Sequence, residues 1–217
     1  GWATPTVSFG RHERVRDRYD PGALTRLGLT PTRRLTGGRA LVHTAEITYA
    51  VAGPLAAALS LRASVDRINR VLRDALRALG VAADLAGPST AGVGGQGACF
   101  AASAPGELVL GGRKLAGSAQ WRDANAWLQH GSILVRDDQG LLAAASRGTP
   151  VEARPAATLG EHTEGVTAPD FALALADAWS AEHRAPVQCV HSDELLPPDL
   201  VARFRDRYAD PTWIWQR

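Results

Sequence analysis

Two side chains of this 217-residue chain stand out for the chemistry each could do: Cys99 in GACFAAS and Lys114 in GGRKLAGSAQ. A thiol attacks as its thiolate, so a nucleophilic cysteine needs its ordinary pKa of about 8.5 lowered by a nearby cation or helix N-terminus. Lys114 is the only lysine among the 24 Lys plus Arg, and every other cationic side chain is arginine. Lysine offers a compact ammonium that fits beside a reacting carbonyl, whereas a guanidinium is a broad fork. Taken alone, a lysine is usually a solvated charge and a free cysteine a small buried apolar group. Here Cys99 follows the Gly-, Ala- and Ser-rich stretch 82–98, which reads as loop, and Lys114 follows a Gly-Gly turn. That context marks a candidate site, with the lysine in contact with a nucleophile or a developing oxyanion.

Three stretches combine glycines with polar groups: RRLTGGRALVH (33–43), GACFAAS (97–103), and GGRKLAGSAQ (111–120) continuing to LQHGSIL (128–134). Glycines let a backbone approach a ligand and let amides point at it. Any one pair is more often a hairpin turn, but three such stretches together shift the balance towards a site. His43 and His130 lie in strand-like segments beside these glycines; each alone reads as a core histidine. His12, His162 and His183 read as solvated. Cys189 and its neighbour His191 lack the loop context of Cys99 and read as structural. Neither cysteine has a CxxC or histidine partner at ligand spacing, so no metal is expected.

Strands and turns must hold such groups. Thr6–Phe9 is a short β-type run, followed by an arginine-rich loop to Asp20, a weak helical turn and the turn PTRRLTGGR. ALVHTAEITYAV (40–51) has the β-branched and aromatic content of a strand. Ser64 reads as the N-cap of a helix ending at Leu79, with the stripe Val65, Ile68, Val71, Leu72, Ala75, Leu76 and Leu79 closed by Gly80. ELVL (107–110), Gly111-Gly112 and a return strand from Arg113 towards Gln120 form a hairpin. Residues 128–135 and 140–145 read as a second strand pair joined at Asp137-Asp138. Thr167 with Asp170 opens a helix to about His183, and Pro197-Pro198 opens a last one to about Tyr208. Strands in the middle and helices at the end indicate an α+β fold.

Hydrophobic residues make up 45% and charged residues 21%, as in an ordinary globular domain, and a net charge of +2 gives no reason to expect nucleic acid. No run reaches the roughly 18 apolar residues of a membrane span, so no membrane partner is expected. Two cysteines without a secretory pattern fit a cytoplasmic setting. The chain contains no Met and opens in what reads as strand, so the expectation is one domain over residues 1–217 whose natural N-terminal segment precedes Gly1.

Together the motifs resemble the biotin/lipoate protein ligase and octanoyltransferase superfamily. RRLTGGRALVHTAEITYAV is similar to its substrate loop and strand, and GGRKLAGSAQ with LQHGSILV to its lysine-bearing segment. GWATPTVSFGRHE and RDRYADPTWIW resemble its two ends. ACFAASAPGEL is similar to the cysteine loop of the cysteine-dependent octanoyltransferases, and Arg39 stands where lipoate ligases usually have a third glycine. The resemblance implies a mixed, largely antiparallel central sheet flanked by helices, of the class II synthetase/biotin-lipoate ligase type. It implies catalytic roles for Cys99 and Lys114. It also implies substrate-binding roles for Arg34, Gly37, Gly38, Arg39 and His43 in the first segment, and for Gly117, Ser118, Ala119, His130 and Gly131 in the second. The expected reaction moves octanoate from acyl carrier protein, through a cysteine thioester, to a lysine of a lipoyl domain or glycine-cleavage H protein, without a cofactor. An ATP-dependent lipoate ligase, an amidotransferase between lipoyl-domain proteins and a non-catalytic acyl-binding module are the alternatives.

Overall fold

A computed structural model describes residues 1–55, 60–88, 103–148, 155–162 and 165–216. Cys99 and most of the glycine-rich stretch before it lie outside the described residues. In chain order the elements are β1 (Thr6–Phe9), α1 (Val15–Arg18), α2 (Pro21–Arg26), β2 (Thr30–Arg33), β3 (Leu41–His43) and β4 (Glu46–Pro54). Next come α3 (Leu61–Ala78), β5 (Asp84–Leu85), β6 (Leu108–Leu110), β7 (Arg113–Lys114), β8 (Ala116–Arg122), β9 (Ala126–Leu134) and α4 (Leu141–Ala145). After a 3-10 turn at Leu159–Glu161 the chain ends in α5 (Ala168–His183), α6 (Ser192–Leu195), α7 (Pro198–Ala209) and α8 (Pro211–Ile214).

The fold is α+β as expected. The strands form three three-stranded sheets, β2-β1-β3, β4-β9-β8 and β5-β6-β7. Every pairing among them is antiparallel except β1 with β2. Two segments expected as single strands are shared between sheets. The 40–51 run breaks between His43 and Glu46, so that β3 joins one sheet and β4 another. The 113–120 run divides at Leu115, with β7 on β6 and β8 on β9. Gly111 and Gly112 both take positive φ, 57° and 75°, as the tight β6–β7 turn demands.

Helix α3 starts a turn earlier than the Ser64 reading: Ser60 is the N-cap and accepts from the Ala63 amide, while Ser64 lies buried inside the helix. Its apolar stripe of Ile68, Val71, Leu72, Ala75 and Leu76 is buried, and most of it enters one core with Tyr49 and Ile47 of β4 and Ile133 of β9. The end is a Schellman closure, in which the Val81 amide donates to Leu76 O and the Gly80 amide to Arg77 O. Helix α5 opens on the expected capping box of Thr167 and Asp170 and packs on α3.

Residues 140–145 are helix and not the expected strand. The partner expected for them, β9, is already paired on both edges by β4 and β8. Just before the helix, Gln139 Nε2 donates to Val42 O at 2.8 Å while its Oε1 accepts from the Val42 amide at 2.9 Å. The Gln139 side chain thereby satisfies a main-chain donor and acceptor of β3. Leu142 and Ala145 instead bury against Phe9, Tyr19 and Leu24.

A second core, around β1 and α2, is tied to the C-terminus by Arg33, which is fully buried. Its guanidinium donates to five main-chain carbonyls, those of Gly10, Arg11, Glu13, Ile214 and Gln216, at 2.8–3.2 Å. No helix among the described residues is long and apolar enough to cross a membrane.

Candidate active site

A cleft of about 410 Å³ opens between the β2-β1-β3 and β4-β9-β8 sheets. One wall consists of three consecutive rows of the antiparallel ladder: Thr48–Ser132–Gly117, Tyr49–Gly131–Ser118 and Ala50–His130–Ala119. Small residues dominate these rows, which is what leaves the space open. Gly131 is constrained more tightly than a turn glycine. A β-carbon there would lie 2.5 Å from Gly117 O and 2.6 Å from the Tyr49 ring. Without that atom the Tyr49 ring crosses the row and its hydroxyl meets Ser118 Oγ at 2.6 Å. Burial pushes the Tyr49 phenol up, so it remains a neutral hydrogen-bonding group.

The opposite wall holds Ser8, Arg34, Gly38, Leu41 and His43, with Gly1 and Trp2 at the mouth. Arg34 acts as a clamp. Its guanidinium donates to the carbonyls of Ser8, Gly37 and Arg39, at 2.8, 2.9 and 2.6 Å, and to Ser8 Oγ at 3.0 Å. This fixes the 34–39 loop, where Gly38 has φ +92° and sits so close that a β-carbon on Gly10 would lie 1.8 Å from Gly38 O. Glycine is required at both positions. Gly38 lines the cleft, whereas Gly37 and Arg39 are not among its lining residues and are held through their carbonyls by Arg34.

His43, 4% exposed, joins Ser8 Oγ through Nε2 at 2.7 Å and Glu46 Oε1 through Nδ1 at 2.6 Å. Trp2 stacks on its ring at 4.2 Å between centroids and donates Nε1–H to the same Glu46 oxygen. An ionised Glu46 makes Nδ1 the protonated nitrogen, so Ser8 donates to Nε2 and accepts from Arg34. The order serine, histidine, glutamate is that of a hydrolase triad. However, Ser8 is 1% exposed and its oxygen already receives an Arg34 N–H, which suits holding the wall and not attack.

His130 meets Thr36 Oγ1 at 2.6 Å, tying β9 to the 34–39 loop. Burial, reinforced by the charge of Arg34 and by His43, pulls its pKa from 6.5 to about 4. The unfolded chain binds this proton between those values and the folded chain does not. Its stabilising contribution is thus complete above pH 6.5 and is lost as pH falls towards 4. The unfolding free energy should fall by on the order of 2 kcal/mol from pH 7 to pH 5 through this group. Urea titrations at the two pH values check it: His130→Gln should lose that part of the acid sensitivity, and an unchanged difference would contradict the assignment.

Of the residues expected to bind substrate, Arg34, Gly38, His43, Gly117, Ser118, Ala119, His130 and Gly131 all line this one cleft. Lys114 lies three positions before Gly117, outside the cleft lining, at 7% exposure. Its Nζ is 2.8 Å from Glu107 Oε2. Cys99, the expected nucleophile, lies outside the described residues. Cys189 is exposed, not buried as a structural cysteine would be. Ser8, Trp2, Glu46, Tyr49 and Glu107 were not singled out by sequence. Only Glu46 carried a local signal, as an acid three residues after His43 in a strand-forming run.

Residues 2–180 match the family described as the lipoyl protein ligase A/B catalytic domain. The chain is 39% identical over 140 residues to octanoyltransferase LipM of Moorella thermoacetica, covering 62% of this chain and 51% of that protein. It is 38% identical over 163 residues to octanoyltransferase LipM of Symbiobacterium thermophilum, covering 70% and 59%. The chain thus spans about half the length of the curated relatives it matches. Among solved structures, lipoate-protein ligase A bound with ATP has a TM-score of 0.75 at 19% identity, covering 98% of this chain and 82% of that one. A bi-partite lipoate protein ligase from Thermoplasma acidophilum has a TM-score of 0.72 at 18% identity, covering 99% and 82%. At these identities the two structures establish a shared fold.

Proposed function

Because the chain belongs to the lipoyl protein ligase A/B catalytic domain family, we propose that it is an octanoyltransferase of lipoate biosynthesis that works through an acyl-cysteine. The Cys99 thiolate attacks the carbonyl of an octanoyl thioester on acyl carrier protein, and the carrier's thiolate leaves. The neutral ε-amine of a lysine on a lipoyl domain or glycine-cleavage H protein then attacks the acyl-cysteine. The Cys99 thiolate leaves, the nitrogen loses its proton, and an amide remains. Splitting the transfer uses a group that is both a good nucleophile and a good leaving group. The Lys114 ammonium favours the thiolate and offsets charge on each tetrahedral oxyanion.

One observation carries this reading: the matched relatives at 34–39% identity that bear the name octanoyltransferase LipM. The cleft supports it. Its volume of about 410 Å³ suits a small acyl group, and its walls of Ala50, Ala119, Gly117 and Gly131 accept an apolar chain. Arg34, Gly38 and His43 supply polar groups at one side. The ATP-dependent ligase alternative rests on structures below 20% identity, which speak for the fold.

The test is transfer from octanoyl-acyl carrier protein to an isolated lipoyl domain, followed by mass spectrometry of the acceptor. Octanoylation without ATP is expected. Product formed only with free octanoate and ATP would make the protein a ligase, and no product under either condition would make it a binding module.

A further inference from the structure

Resting on that reading of Lys114, we infer that Glu107 is a positioning residue for the reaction, acting through the Lys114 ammonium. One carboxylate oxygen, Glu107 Oε2, takes both the Ala104 amide at 2.7 Å and Lys114 Nζ at 2.8 Å. Ion pairs on a surface contribute little, but here the Lys114 side chain is 6% exposed and that of Glu107 21%. An ammonium on a flexible four-carbon stem has many rotamers, and anchoring one N–H to a fixed oxygen decides where the other two point.

The oxygen is fixed because its turn is held from outside. The Glu107 amide donates to Ala104 O, closing residues 104–107, and Gly106 takes φ +82° within that turn. Helix α3 grips it with two side chains: Arg62 donates to Pro105 O at 3.0 Å and Asn69 to Gly106 O at 2.8 Å. From Asn69 a chain of hydrogen bonds runs through Gln129 to Tyr49 and on to Ser118 in the cleft wall. The turn that presents Glu107 to Lys114 is therefore braced against the same residues that shape the cleft. Displacing a charged group by about 1 Å can cost roughly 100-fold in rate, so this bracing is a means of holding the ammonium in register with the bound acyl group.

Glu107→Gln is the appropriate variant, since its amide oxygen can still accept from Ala104 while the carboxylate charge beside Lys114 is removed. Because Lys114 is the only lysine, protein labelled with ¹⁵N-lysine gives a single side-chain ammonium signal. In the wild type that signal should be visible near neutral pH, since a held, buried ammonium exchanges its protons slowly. In Glu107→Gln it should vanish, and kcat for acyl transfer should fall roughly 10- to 100-fold, with KM for the acyl donor within about two-fold. A retained signal overturns the inference whatever happens to kcat, and so does a lost signal with unchanged kcat. If the variant does not fold, absence of the slow-exchanging signal in the wild type overturns it alone. Should the wild type transfer no acyl group at all, the octanoyltransferase reading fails, while the signal still reports separately on the hold of Glu107 over Lys114.

Discussion

Lys114→Arg keeps one positive charge and loses acyl transfer by roughly 100-fold or more. Lysine places a point charge at Nζ, 2.8 Å from Glu107 and with the side chain 6% exposed. A guanidinium is longer and planar, and it seeks a bidentate match with the carboxylate. In a buried slot it displaces its own charge, its partner or both. Overpacking of this kind costs about 1–3 kcal/mol of stability, which a domain of this size tolerates. The loss should therefore appear in the rate and not in the yield of folded protein. Single-turnover transfer from octanoyl-acyl carrier protein, alongside a thermal melt, separates the two. Activity within a few-fold of wild type would mean that position 114 needs only a cation, and the argument from its chemistry would fail.

Arg33→Ala destabilises the protein by about 4 kcal/mol, lowering the apparent Tm by roughly 10 °C. Five carbonyls from two distant stretches, residues 10–13 and residues 214 and 216, converge on this fully buried guanidinium. Removing it leaves acceptors without their charged donor and opens a cavity, and both effects act in one direction. Arg33→Lys should recover little, because three donors on a point charge cannot serve a fork's acceptors. Chemical denaturation of both variants is the check. Near-wild-type stability for Arg33→Ala would show that the other anchors of the C-terminal tail suffice, among them the apolar contacts of Ile214 and Trp215 and the bond from Trp213 Nε1 to Arg33 O. The neighbouring Arg34 serves the cleft and Arg33 the tail, a division of labour invisible in the letters RR.

Much of the frame was legible because it rests on local chemistry. The Thr167–Asp170 capping box, the Gly111-Gly112 turn and the stripe of α3 each depend on residues a few positions apart. One failure was decided by a distant partner and the other by a neighbour one turn away. Residues 140–145 had strand-like apolar content, but the strand they were expected to pair with, β9, is already paired on both edges by β4 and β8. Ser64 looked like an N-cap, but Ser60, a turn earlier, takes that place.

The site divides in the same way. Glycines and histidines beside them mark segments that need close backbone approach, and those segments build both walls of the cleft. Ser8, Trp2 and Glu107 could not be found that way. Ser8 is an ordinary strand residue until His43 and Arg34 reach it from 35 and 26 positions away. Glu107 is one acid in a strand-like ELVL until the hairpin turns Lys114 onto it.

The most direct measurement of the central claim is intact-protein mass spectrometry after incubation with octanoyl-acyl carrier protein in the absence of ATP. One octanoyl group per chain is predicted, mapping to Cys99 in the digested protein and absent from Cys99→Ala. No adduct on the wild type, or an adduct that survives Cys99→Ala, would contradict transfer through a Cys99 thioester.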